Sequence, residues 1–356
     1  MRGAVLLFAL AACGGSTHNG GGDGGGGDDT SGGSDATPGS DATHDASPTH
    51  AISIIVEPDG MRAAQVVTSI MAATSTVDMT MYELSNDDII GALMDRASHG
   101  VTVRAILDGS STNMSFNMDA YTQLTNAGAH VVWSNPLFTY THEKAILIDQ
   151  TSAWIMTMNA TQSAPTSNRE YLALDTEPDD VAEAETIFAA DFVRQGVTPS
   201  GDLVVANTNA RTRLVQLISS AQTSIDLEGE EYSDSANGGI VDAIVAAANR
   251  GVTVHVVLAN DDPDAQSVNR TKGAGAHVVI TGPDSSGGTR TNPYIHSKAI
   301  VIDCNPQCAS GFVGSENFST GSLSYNRELG VIFDNQTELA KVKAAIDTDF
   351  AAGTAQ

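Results

Sequence analysis

Apolar positions along this chain fall into two alternating rhythms. A β-branched run at 52–56 reads as a strand, and residues 61–73 place Val66, Val67 and Ile70 at helical spacing. A second strand pattern covers 77–82, a second helical one covers 88–97, and Gly100 closes it before a strand at 101–107. That alternation predicts an α/β fold. The pattern also repeats. Residues 127–132 (Ala-Gly-Ala-His-Val-Val) recur letter for letter at 274–279, Gly-Val-Thr-Val at 100–103 recurs at 251–254, and Asn168-Arg169-Glu170 recurs as Asn326-Arg327-Glu328. The blocks keep their order, so the chain is expected to hold two copies of one unit, at 51–200 and 201–356. Gly100 and Gly251 each fall between a helix and a strand, where a helix end favours positive φ. His130 and His277 open strands and read as structural.

The beginning of the chain follows neither rhythm. Met1 and Arg2 precede a short apolar stretch at 4–12, too short to cross a bilayer, and Leu10-Ala11-Ala12-Cys13 follows. These four residues resemble the lipobox of bacterial lipoproteins, which implies a signal peptide at 1–13, lipidation at Cys13, and export to a membrane-anchored position on the periplasmic face or cell surface. Residues 14–50 are nearly all Gly, Ser, Thr, Asp, Ala and His, a composition expected of a flexible tether. Its histidines, His18, His44 and His50, read as solvated linker residues. No later stretch reaches the ~18 unbroken apolar residues of a transmembrane helix.

Charge narrows the partners. The chain carries a formal −26, of which about −21 falls beyond residue 50. A surface of that sign repels nucleic acid, whose binding depends on Lys and Arg neutralising phosphates.

The candidate chemistry lies in two matching octets. His142-Glu143-Lys144-Ala145-Ile146-Leu147-Ile148-Asp149 aligns with His296-Ser297-Lys298-Ala299-Ile300-Val301-Ile302-Asp303. Roughly 0.01 matches to H-x-K-x4-D are expected by chance from this composition, so two at corresponding places in a repeat carry weight. On a strand, His and Lys share a face, while Asp149 and Asp303, seven positions after each His, face away and read as structural anchors. These octets resemble the HKD motifs of the phospholipase D superfamily, over essentially all of residues 51–350. Gly314-Ser315-Glu316-Asn317 matches the family's G-S-x-N, and Asn326-Arg327-Glu328 its later carboxylate segment. The first copy has Met156-Thr157-Met158-Asn159, which keeps the hydroxyl and the Asn but loses the Gly, and with it an expected close backbone approach to phosphate. Glu170 lies 28 residues after His142 and Glu328 lies 32 after His296; a four-residue insertion around Cys304 and Cys308 accounts for the difference.

The resemblance implies two pseudo-symmetric α/β units, each a mixed β-sheet flanked by helices, with one active site at their interface and a monomer sufficient to form it. It implies a phosphodiesterase or phosphatidyltransferase acting on phospholipid without metal or cofactor. One neutral imidazole attacks phosphorus to give a phosphohistidine; the other protonates the departing alcohol and then activates water. Family precedent makes His142 the nucleophile and His296 the acid, although pseudo-symmetry leaves the reverse open. Lys144, Lys298, Asn159 and Asn317 would hold the non-bridging oxygens, with Thr157 and Ser315 in support. Glu170 and Glu328 would each take a hydrogen bond from a histidine's distal nitrogen. A nuclease of the same superfamily and a catalytically dead scaffold that binds lipid or a partner are the alternatives. Elsewhere, Cys304 and Cys308 suit a small local disulfide in an exported protein. Glu83 and Glu231 read as solvated strand ends, and Asp261, Asp262 and Asp264 as a loop and helix start. The loops at 108–119 and 281–292 are expected to set substrate preference.

Overall fold

A computed structural model describes residues 50–356 apart from Asp262. The expected signal segment with Cys13 and the expected tether, as far as residue 49, lie outside the described residues. Seven strands of the first half, β1 (Ile52–Glu57), β2 (Thr76–Met81), β3 (Thr102–Leu107), β4 (His130–Trp133), β5 (Lys144–Ile148), β6 (Ser152–Met156) and β7 (Asn168–Asp175), form a mixed sheet in the order β1-β7-β6-β5-β2-β3-β4. The second half supplies β8 (Val204–Val205), β9 (Ser224–Gly229), β10 (Thr253–Ala259), β11 (His277–Thr281), β12 (Tyr294–Ile295), β13 (Lys298–Ile302), β14 (Ser310–Gly314), β15 (Leu329–Phe333) and β16 (Thr354–Ala355). Its sheet runs β8-β15-β14-β13-β9-β10-β11, the same order, with β16 added at the β11 edge. The duplication read from the sequence is therefore a duplication of topology. β12 departs from it, pairing with β7 of the other sheet.

The central strands β5 and β13 are buried at every position, which is why they read as continuous apolar runs rather than as alternation. Asn86 caps the helix Asp87–Ser98 by accepting from the amides of Asp88 and Ile89, both at 3.1 Å, and Gly100 ends it at φ +89°. Three helices of each half cover the outer face of its sheet and close a core there. A third core, shared by both halves, joins the inner faces through Leu147, Ile155, Tyr171, Val301, Val313 and Val331. The helices Pro178–Phe192 and Gln336–Ala352 pack into it. Sheet therefore meets sheet along β6, β7, β14 and β15, and the site is built at that seam.

Asp149 and Asp303 are anchors, but for a different reason from strand alternation. Each lies one residue past its strand, in left-handed backbone at φ 53° and 55°. Asp149 accepts from the amides of Thr74, Ser75 and Thr76, and Asp303 from those of Gln222, Thr223 and Ser224. Each carboxylate thereby ties the helix-to-strand loop before β2 or β9 to the end of the motif strand. The four-residue insertion lies in the β13-β14 hairpin, where a disulfide joins Cys304 to Cys308.

Candidate active site

The motif strands begin at Lys144 and Lys298, so each histidine sits two residues earlier, where the chain reaches across to the other half. Thr141 bridges in parallel to Arg327, the His142 amide donates to the Arg327 carbonyl at 2.8 Å, and the Arg327 amide donates to the Tyr140 carbonyl at 2.9 Å. In the second half, β12 places Tyr294 opposite Asn168 and Ile295 opposite Arg169. The carboxylates are consequently exchanged: His142 Nδ1 lies 2.7 Å from Glu328 Oε2, and His296 Nδ1 lies 2.9 Å from Glu170 Oε1. Spacing counted within each repeat identifies these residues without revealing the exchange. The arginines are exchanged as well. Arg169 pairs with Asp349 of the second half at 2.6 Å, and Arg327 with Asp191 of the first at 2.8 Å.

A carboxylate on Nδ1 fixes the tautomer and leaves Nε2 as each ring's reactive nitrogen. Burial opposes the charge on Glu170, but His296, Lys298 and Thr157 outweigh it and hold the carboxyl below its ordinary range. Glu328 is held down against burial by His142, Lys144 and Ser322. Thr157 Oγ1 donates to Glu170 at 2.5 Å, whereas Ser315 makes no matching contact with Glu328. The Ser315 hydroxyl exchanges hydrogen bonds with the Leu329 backbone, and Ser322 donates to Glu328 at 2.6 Å in its place. Burial, reinforced by Lys144, lowers the His142 pKa despite Glu328. An imidazole in that state is neutral at pH 7, as a nucleophile must be.

Lys144 is buried, donates to the His142 carbonyl at 2.6 Å, and stands 4.8 Å above the Tyr82 ring. Burial and the neighbouring Lys298 push it down to about 7. Lys298 likewise donates to the His296 carbonyl, at 2.5 Å, and has a second partner, with its Nζ 2.8 Å from Glu230 Oε2. Register places Met81 opposite Lys144 and Gly229 opposite Lys298, so Tyr82 and Glu230 occupy equivalent positions. Tyr82 stands edge-on to His142 at 4.5 Å, and Glu230 Oε2 lies 3.7 Å from His296 Nε2. Neither residue stands out in the sequence, since their equivalence depends on the strand register. Burial works against the Glu230 carboxylate, yet Lys298 and His296 hold it well below its usual range.

Both histidines, Asn159 and Asn317 line one cavity of about 740 Å³. The lysines lie behind this surface, already hydrogen-bonded, rather than projecting into the cavity as the sequence suggests. Glu83 and Glu231 both line the cavity, Glu83 half-buried and Glu231 exposed as expected of a solvated strand end, and desolvation raises the pKa of each. Asp261 lines it too, while Asp264 caps the helix Ala265–Gly273 through the Ser267 amide. The segment 281–292 contributes Ser285, Ser286 and Gly288, while 108–119 is a loop only as far as Asn113 and contributes Phe116 from the helix Met114–Asn126. Gly314 answers to packing rather than to phosphate, because a Cβ there would meet Glu316 Oε2 at 2.3 Å and Gly330 Cα at 2.6 Å. In the first half Met156 is paired with Leu172 and buried, filling the equivalent space with apolar atoms.

A family model described as "Cardiolipin synthase, PLD-like domain" matches residues 66–192 and 214–351, one span in each half. The chain belongs to the phospholipase D superfamily. Among its relatives, a minor cardiolipin synthase, ClsB, of Bacillus subtilis is 23% identical over 321 residues, covering 80% of this chain and 78% of that protein. Phospholipase D Z of Dictyostelium discoideum is 31% identical over 147 residues, covering 36% of this chain and 32% of that one. The fold is shared with phosphatidylserine synthase of Haemophilus influenzae Rd KW20 (TM-score 0.62, 9% identity, 86% of this chain and 87% of that one). It is shared also with polyphosphate kinase of Porphyromonas gingivalis (TM-score 0.64, 16% identity), where the match covers 83% of this chain and 46% of that one. This superfamily member carries both halves of the site in a single chain.

Proposed function

We propose that this chain cleaves or transfers phospholipid phosphodiesters through a phosphohistidine, working as a single chain. The pair of exchanged histidine-glutamate contacts facing one cavity carries this reading. His142 Nε2 attacks phosphorus and forms the P–N bond as the P–O bond to the head-group alcohol breaks, and His296 gives that oxygen its proton. His296 then takes a proton from water or a second alcohol, whose oxygen displaces His142 and restores it neutral. Asn159 and Asn317 would donate to the non-bridging oxygens through Nδ2, which in Asn159 donates to Glu83 at 3.3 Å. The lysines would act mainly by their field from behind the histidines.

The two histidines differ in what faces them. Glu230 sets a carboxylate oxygen 3.7 Å from the facing Nε2 of His296, whereas Tyr82 brings no such charge to His142. The cavity wall also bears on the substrate. Glu83, Glu230, Glu231 and Asp261 line it together with Tyr82 and Tyr294, and no Lys or Arg does so among the described residues. Such a wall repels a polyanion and suits a head group bearing an ammonium. Export and a lipid anchor at Cys13 would place the site beside a membrane. The test is head-group release from phosphatidylcholine and phosphatidylethanolamine vesicles, with plasmid cleavage in parallel. Release lost in His142→Ala and His296→Ala is expected; histidine-dependent plasmid cutting with intact lipid would make it a nuclease instead, and inactivity in both assays would favour a binding scaffold.

A further inference from the structure

Away from the catalytic seam, the first described residue takes part in a cluster that the proposed reaction does not use. His50 is half-buried rather than a solvated part of the tether. Its Nε2 lies 3.2 Å from Asp175 Oδ2, at the end of β7, and 3.2 Å from Asp180 Oδ2, in the first turn of the helix Pro178–Phe192. Both aspartates are buried, at 0% and 4% exposure. One N–H cannot serve both: it is directed to Asp175, and Asp180 Oδ2 is left buried without a hydrogen bond. The helix N-terminus offsets part of one charge but leaves that oxygen unpartnered. The neighbouring guanidinium, Arg213, is engaged by Asp202 at 3.1 Å.

We propose that His50, Asp175 and Asp180 bind a divalent transition metal, with zinc the best fit. Three donor atoms lie within 4.8 Å of one another, and tetrahedral zinc with bonds of 2.0–2.1 Å needs neighbouring donors about 3.3 Å apart. A dication neutralises both carboxylates and gives Asp180 Oδ2 the partner it lacks. One imidazole with two carboxylates suits zinc better than calcium, which takes six or more oxygens. The supports of a metal site are also present. Asp175 Oδ1 accepts from the Glu177 amide at 2.8 Å, while the His50 backbone is held by Asp334 at 3.0 Å and by Asn335 at 3.3 Å. A cavity of about 480 Å³ lined by His50, Asp179, Asp180 and Asp334 offers an entry path and room for a water as fourth ligand. Asp175 and Glu170 lie at opposite ends of β7, roughly 16 Å apart by strand rise, so the ion would be structural. It would fasten the start of the folded body to β7 and the following helix of the first half.

The test is zinc content of the full chain by mass spectrometry after zinc loading and passage over a chelating resin, with thermal unfolding alongside. Wild type and a His18→Ala/His44→Ala variant are expected to retain one zinc per chain. His50→Gln and Asp180→Asn, with unchanged circular dichroism, should each retain under about a tenth as much. Zinc at a hundredfold excess over Kd should raise wild-type Tm by roughly 5 °C and leave both variants unmoved. Wild type emerging without zinc, zinc retained by both site variants, or zinc lost with His18 and His44 would each overturn the proposal. An equal Tm rise with calcium would overturn the choice of metal.

Discussion

Glu230 and Tyr82, at equivalent positions of the two halves, give the two histidines different neighbours. If Glu230 and the tyrosines receive an ammonium, Glu230→Gln should raise KM for phosphatidylcholine roughly tenfold, about what a desolvated cation contact is worth, with a much smaller effect on phosphatidylglycerol. Equal changes for both lipids would remove Glu230 from head-group recognition. Protonation supplies a second prediction at this scale. The proposed reaction needs His142 neutral, and its pKa is lowered, so the acid limb of kcat/KM should fall below the ordinary histidine value of about 6.5. It needs Lys144 charged, and that group is pushed down to about 7, so activity should decline on the alkaline side from near neutrality. A plateau extending to pH 9 would show that Lys144 stays charged or does not matter. At this scale the sequence is most informative about the histidines, lysines, asparagines and glutamates, because motif and repeat mark them together. Glu230 carries no such mark, because its meaning depends on a register that only the folded sheet displays.

Strands and helices are legible in the sequence wherever hydrophobic period alone decides, as at β1, β2 and the helix Asp87–Ser98. The two-residue β12 and the Thr141 bridge are not, since such short pairings have no period and arise only when the halves meet. Those pairings are what exchange the glutamates. Asp149 and Asp303 belong to this scale as loop anchors. Burial opposes the charge on each, but backbone amides of Thr76, Thr74 and Ser75 for Asp149, and of Thr223, Ser224 and Gln222 for Asp303, hold both pKa values below the ordinary range. Folded values lower than the unfolded value of about 3.9 mean that this stability is fully present above pH 4 and is lost as pH falls through the folded pKa. Asp149→Asn and Asp303→Asn should each cost about 2 kcal/mol at pH 7 and flatten the acid-induced fall in Tm below pH 4. An unchanged acid limb would mean that other carboxylates govern it.

Across the whole molecule, two copies of one topology are locked together by contacts that each half makes with the other. The Arg327 to Asp191 pair is buried on both sides, so Asp191→Ala should cost about 3–5 kcal/mol by leaving the guanidinium uncompensated, read as a lower Tm; a loss under 1 kcal/mol would show that the halves hold together without it. The duplication is legible from short repeated blocks, but the direction of exchange between halves is not, because local sequence carries no record of which copy a side chain will face. The most direct test of a shared site using a phosphohistidine is rapid quenching of the full chain with labelled phosphatidylcholine, followed by mapping of the phosphatidyl adduct. The expected result is an adduct on His142, absent in His142→Ala and formed more slowly in His296→Ala because its acid is missing. Head-group release that continues at the wild-type rate in His142→Ala, with no histidine adduct, would contradict the mechanism.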